Sequence, residues 1–183
     1  MDAPNSDPIP IPIDLFVSKK HEAHKNGDSC FVDSNGDTIY KVNRRSSSQS
    51  SSGNRVLRDA AGTPLISMHR DHKGSWQCYK GDGESKDLIF GVQRTKNTLT
   101  RTELEVFFVA ENKEDSTPDL KVKGFPFQRA CTIYKGNDIV AQTSLMYKLN
   151  QIFVKRGKFR LTIFPGSIDH ALIVALVVIF LHG

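Results

Sequence analysis

The sequence holds only three cysteines, Cys30, Cys78 and Cys131, spread widely along 183 residues. An odd, scattered set supplies neither a disulfide framework nor a Cys-x-x-Cys metal knuckle, and a reducing compartment is the simplest reading. No Asn-x-Ser/Thr sequon is present. The chain opens acidic and proline-rich, without the basic start and apolar stretch of a secretory signal. No apolar run reaches the roughly 20 residues that a bilayer-spanning helix needs. The most apolar segment, residues 171–181, is eleven residues long, about 16 Å as a helix. An intracellular, cytoplasmic protein is therefore expected, peripheral at the plasma membrane or nuclear, not secreted and without a transmembrane helix. The surplus of charge is small, +5, so nucleic-acid binding is not implied. Aromatic residues at 9% are too many for a disordered chain. No repeat of constant period appears.

What the sequence does contain reads as one β-rich domain. Four prolines, at 4, 8, 10 and 12, keep the N-terminus extended, and residues 1–8 read as a loose tail ahead of a single domain over 9–183. Phe31-Val32-Asp33-Ser34-Asn35-Gly36-Asp37-Thr38-Ile39-Tyr40 has the form of a hairpin, with Asn-Gly supplying the positive φ angles of a tight turn. Residues 56–66 repeat the scheme of apolar pair, Asp, two residues and Gly, and residues 132–140 turn on Gly136-Asn137. Further strands are expected at 15–18, 76–79, 88–92, 104–109, 120–122 and 159–164. About a dozen short strands between turn signals suggest a barrel or a sandwich. Two polar stretches read as loops: residues 43–54, around the serine-rich run 46–53, and residues 111–118.

Residues 171–181 are apolar at every position, so periodicity cannot separate strand from helix. Their β-branched content favours a strand. Their length, the break at Pro165-Gly166 and the candidate caps Ser167 and Asp169 favour a helix, which is the expectation here. A helix that is apolar all round must be covered all round. A closed barrel of a dozen strands is wide enough to do so, because about eight already hold an interior filled by side chains alone. The core helix is expected over 168–181.

Several ordered motifs resemble one family. They are Asp33-Ser34-Asn35-Gly36, Leu57-Arg58-Asp59-Ala60-Ala61-Gly62, Trp76-Gln77-Cys78-Tyr79, Val122-Lys123-Gly124, Ile139-Val140-Ala141, and Pro165-Gly166 followed by Asp169 and the apolar terminus. Over residues 9–181 this set is similar to the plant LURP-one-related proteins. The resemblance implies a mainly β, tubby-like fold, a twelve-stranded β-barrel enclosing a central hydrophobic C-terminal α-helix. It further implies kinship with tubby C-terminal domains and phospholipid scramblases, and an association with plant defence. It brings no catalytic residues.

Residues 1–91 carry as many acids as bases, so the whole surplus lies in residues 92–183. No acid stands between Asp138 and Asp169, whereas Lys148, Lys155, Arg156, Lys158 and Arg160 all fall there, interleaved with Phe153 and Phe159. Lys158, Arg160 and Thr162 alternate with Phe159, Leu161 and Ile163, so the polar set would face outward. These five cations are the candidate lipid- or phosphate-binding residues. A basic cluster gains about 1 kcal/mol per charge at an acidic membrane, and tubby kinship implies phosphoinositides; a solvated outer barrel face is the plainer alternative. Arg44-Arg45-Ser46-Ser47 makes Ser46 and Ser47 candidate phosphorylation sites. His69-Arg70-Asp71-His72 lacks the companion motifs of a kinase, and exposed turn histidines are favoured over metal ligands. Gly81-Asp82-Gly83 reads as a turn rather than a nucleotide loop. The expectation is a monomeric, non-enzymatic binding or scaffold module without metal or cofactor, held peripherally by anionic membrane lipids. The alternatives are a scramblase-like lipid-active protein and an enzyme whose site is assembled in space.

Overall fold

Twelve strands follow one another around a closed barrel. The computed structural model describes residues 10–18, 28–44, 53–71, 73–82, 87–98, 100–109, 117–146 and 158–182. The strands are β1 (Ile13–Ser18), β2 (Ser29–Val32), β3 (Thr38–Arg44), β4 (Arg55–Asp59), β5 (Pro64–Arg70), β6 (Trp76–Lys80), β7 (Leu88–Asn97), β8 (Thr102–Phe108), β9 (Leu120–Phe125), β10 (Ala130–Lys135), β11 (Asp138–Leu145) and β12 (Lys158–Ile163). Each pairs antiparallel with its chain neighbours, and β1 closes the ring on β12 with Ile13 opposite Ile163 and Ser18 opposite Lys158. The twelve expected strands are all present. The barrel rather than the sandwich results because the first and last strands complete each other's hydrogen bonds, leaving no free edge.

Alternation sets the inside. On β12 Phe159, Leu161 and Ile163 are buried and Arg160 is exposed; on β6 Trp76 and Cys78 are buried and Gln77 is exposed. The interior is filled by α1 (His170–His182), in which every residue from Ala171 to Phe180 is buried. It begins two residues later than expected: Ile168 belongs to the approach, and Asp169 is the cap. The Asp169 carboxylate accepts the Ala171 amide at 2.8 Å, satisfying one of the donors a helix start leaves open. Because β12 hands the chain to α1, the helix enters at one end of the barrel and runs back toward the other. These are called below the entry end and the exit end.

The turns hold by a device the hairpin reading only half captured. Positive φ occurs at Gly36 (91°) but not at Asn35, so the turn is not a two-residue Asn-Gly turn. Instead Asp33 Oδ1 accepts the amides of Asn35 and Asp37, both at 2.9 Å, and Gly36 alone takes the left-handed conformation. Asp59 and Gly62 repeat this arrangement, and so do Asp71 and Gly74. The expected loop over 43–54 is shorter at both ends. Asn43 and Arg44 still pair in β3, with Val56 and Arg55, and Asn54 is buried with its side-chain oxygen on the Arg70 amide. Ser46 and Ser47 lie outside the described residues, as do His72 and the stretch 147–157 with Lys148, Lys155 and Arg156. His69 is not an exposed turn residue: it lies within β5, half-buried, its ring 5.2 Å from that of Tyr79.

Candidate anion-binding cleft

Of the expected basic cluster, Lys158 and Arg160 are described, and both face away from the core as the alternation required. Arg160 is not a free cation, however. Asp14, on the neighbouring strand β1, holds one oxygen 3.7 Å from Arg160 Nη1 and accepts the Thr162 hydroxyl on the other at 2.5 Å. The acid missing from residues 139–168 is supplied by a strand almost the whole chain away. A half-exposed pair of this kind adds little stability, but it cancels the local charge.

Cations gather elsewhere, at the exit end. Val42, Leu57, Met68 and Val92 are buried inward-facing residues. The next inward positions toward the exit rim are Arg44, Arg55, Arg70 and Arg94. Register places them side by side: Arg44 opposite Arg55, Arg55 opposite Met68, Arg70 opposite Trp76, and Trp76 opposite Val92. A period of two brings every second residue inward, so four strands deliver four arginines to one mouth. Asp28 offsets part of this charge at Arg44 and Arg55: its carboxylate accepts the Arg44 amide at 3.2 Å. Burial and, secondarily, Arg44 lower the Arg55 pKa, while Asp28 acts to raise it.

Two of these arginines open onto a cleft of about 490 Å³ lined by Arg70, Asp71, Lys73, Gly74, Arg94, Thr95, Lys96 and Asn97. A bulge between Arg94 and Lys96 breaks the β7–β8 register. Bulges re-aim side chains, which accounts for four consecutive residues, 94–97, sharing one wall. Asp71, the one acid, is occupied by its turn: Oδ1 accepts the amides of Lys73 and Ser75, both at 2.9 Å. The Arg70 guanidinium carbon lies 5.9 Å from the centre of the Trp76 ring, within cation–π range. Burial, and secondarily Arg70, lower the Arg94 pKa, and its enclosed Nε has no hydrogen-bond partner. The cleft is thus short of negative charge and of acceptors. A second cavity, about 270 Å³ at the entry end, is lined by Lys135, Asp138, Ile139, Val140 and the 164–168 turn, and has no such imbalance.

The polarity extends over the molecule. Among the described residues, the exit-end connections carry Lys73, Arg101 and Arg129 against Asp28 and Asp71, whereas the entry-end connections carry six aspartates and no lysine or arginine. Charge among the described residues therefore differs by barrel end. The thiols lend themselves to little chemistry: all three cysteines are free, and burial raises each pKa, that of Cys131 to about 12. Among the described residues no group of three or more His, Cys, Asp or Glu is placed to hold a metal ion, and no helix is long and apolar enough to cross a membrane.

Residues 13–181, the whole barrel and all but the last residue of its helix, match the LURP-one-related family. The chain belongs to that family. It is 52% identical over 174 residues to LURP-one-related 7 of Arabidopsis thaliana, covering 94% of this chain and 91% of that protein. It is 32% identical to LURP-one-related 10 of the same plant, over 93% of this chain and 89% of the relative. An X-ray structure of an Arabidopsis thaliana protein superimposes with a TM-score of 0.67 at 31% identity, over 94% of this chain and 90% of that one. This LURP-one-related chain therefore shares its architecture with a plant protein of solved structure.

Proposed function

We propose that this LURP-one-related protein is a non-enzymatic binding module that takes the phosphate-bearing headgroup of an anionic phospholipid, a phosphoinositide among the candidates, in the exit-end cleft. The observation that carries the reading is the cleft itself: Arg70, Lys73, Arg94 and Lys96 converge on one opening while its only carboxylate is held by its own turn. The volume suits a headgroup-sized ligand, and guanidinium groups match phosphate oxygens bidentately. A bound phosphate would offset the repulsion between Arg94 and Arg70. The site differs from the sequence cluster of Lys148, Lys155, Arg156, Lys158 and Arg160, of which Arg160 is paired with Asp14. A lipid-transporting role finds less support, because α1 is enclosed by the wall. Among the described residues, the cysteine thiols are held protonated by burial and do not favour an enzymatic reading.

Vesicle co-sedimentation tests the reading. The wild-type chain is expected to bind vesicles of phosphatidylcholine mixed with phosphoinositide, to ignore phosphatidylcholine alone, and to weaken as salt rises. Arg94→Gln with Lys96→Gln should weaken binding by about 2 kcal/mol, or about thirtyfold, while Trp76 fluorescence reports an intact fold. Neutralising Lys148, Lys155, Arg156 and Lys158 should cost less. Binding that is indifferent to the cleft pair but lost on neutralising those four residues would refute the assignment.

A further inference from the structure

The β9–β10 connection carries a second feature of the exit end. Phe127, on the short turn Pro126–Gln128, is 71% exposed, and Phe125, the last residue of β9, is 43% exposed. Exposed aromatics on a slack loop would say little, but this turn is built. Gly124 lets β10 approach so closely that a Cβ there would lie 2.2 Å from the Ala130 carbonyl oxygen. Arg129 takes a left-handed conformation at φ 50° to return the chain, donating its amide to the Pro126 carbonyl at 3.0 Å. The buried Thr143 hydroxyl fastens the return strand, donating to the Arg129 carbonyl and accepting the Cys131 amide, both at 2.8 Å. The turn that presents the two phenyl rings is thereby fixed at both ends.

Register fixes their position. Asn97, on the cleft rim, pairs with Thr102, and Thr102 pairs with Gly124. Phe125 therefore begins two strands from the cleft, about 10 Å at the usual spacing. Met146, 43% exposed, closes β11 at the same end. Apolar tips beside the cleft cations Arg70, Lys73, Arg94 and Lys96, with the acidic described connections at the opposite end, match an anionic lipid surface in both respects. A protein groove would have to reproduce the same pairing of apolar depth and negative rim.

Resting on the cleft reading, we propose that the exit end docks end-on against an anionic membrane, with Phe127 entering the headgroup–acyl boundary while the cleft holds a headgroup. Phe127→Ser in the full chain is expected to weaken binding to phosphatidylcholine–phosphatidylserine vesicles about tenfold, as partial burial of one phenyl ring implies. The same variant should leave calorimetric binding of soluble inositol hexakisphosphate unchanged, whereas Arg94→Gln with Lys96→Gln reduces both. Phe127→Trp should retain vesicle binding and show a blue-shifted emission above the constant signal of Trp76. If Phe127→Ser binds vesicles like the wild type while the cleft pair does not, end-on docking is wrong and the cleft reading stands. If the cleft pair affects neither probe, the cleft reading falls, and this inference with it. A blue shift of Phe127→Trp that grows with protein concentration in lipid-free buffer, with dimers in light scattering, would show that the rings cover a second copy and would overturn the membrane assignment.

Discussion

Leu176→Ala tests how the barrel and its helix stabilise each other. Leu176 is fully buried in mid-helix, whereas Leu172, one turn earlier, is 9% exposed toward the entry end. Truncating a buried leucine loses its transfer free energy and leaves a cavity whose cost depends on how far the surroundings collapse, about 2–5 kcal/mol in all. A closed barrel collapses poorly, because its radius is set by strand number and stagger and every strand is hydrogen-bonded on both sides. Leu176→Ala should therefore cost about 4 kcal/mol, near the top of that range. Leu172→Ala, whose space opens toward the mouth and can be re-covered by Ile168, should cost about 2–3 kcal/mol. For a chain of this size Leu176→Ala then lowers the thermal midpoint by about 8–16 °C. Urea melts with unchanged m-values would measure both variants, and xenon should bind the dry cavity left at 176. Equal costs at the two positions, or a smaller one at Leu176, would show that the wall closes over the gap and that its rigidity has been overstated.

Other expectations are independent of this one. Gly124→Ala places its Cβ against backbone atoms of Ala130 and Cys131, which cannot rotate away; a loss of about 1–3 kcal/mol and faster amide exchange at Cys131 should follow. Thr143→Val leaves the buried Cys131 amide and the Arg129 carbonyl without their shared partner, costing about 1–3 kcal/mol in denaturant melts. The thiols predict a pH dependence. The Cys131 pKa rises from 9.0 to about 12 on folding, and Cys30 and Cys78 are shifted upward too, so between those values the folded chain binds more protons than the unfolded one. Stability is then fully present below pH 9.0 and declines as pH rises through the folded pKa values. Replacing Cys131 by Ala should flatten that decline, and a decline of unchanged slope would count against it. Iodoacetamide should label Cys30 well before Cys78 and Cys131, since only Cys30 is more than marginally exposed.

Much of the architecture was legible because it rests on local chemistry. Strand alternation on β6 and β12, the Asp-x-x-Gly turns and the apolar run closed by Asp169 are each written within a dozen residues. The third Asp-x-x-Gly, Asp71 to Gly74, repeats the same pattern, although His69 before it and His72 within it are the more conspicuous feature. Even the sandwich was disfavoured, since an all-apolar helix demands an enclosing wall.

The candidate site was not legible in the same way. Arg44, Arg55, Arg70 and Arg94 are separated by 11–24 residues, each beside other polar residues, and nothing local marks them as neighbours. Only ring closure and register bring them to one mouth. Asp14 likewise reaches Arg160 only because β1 pairs with β12. The sequence by itself determined which residues form strands, which segment fills the interior and where the chain turns, since period, cap and turn chemistry act between near neighbours. The tertiary structure alone decided where charge accumulates and where it cancels, because electrostatics depends on distance in space, and in a barrel that distance is set by register and not by position along the chain.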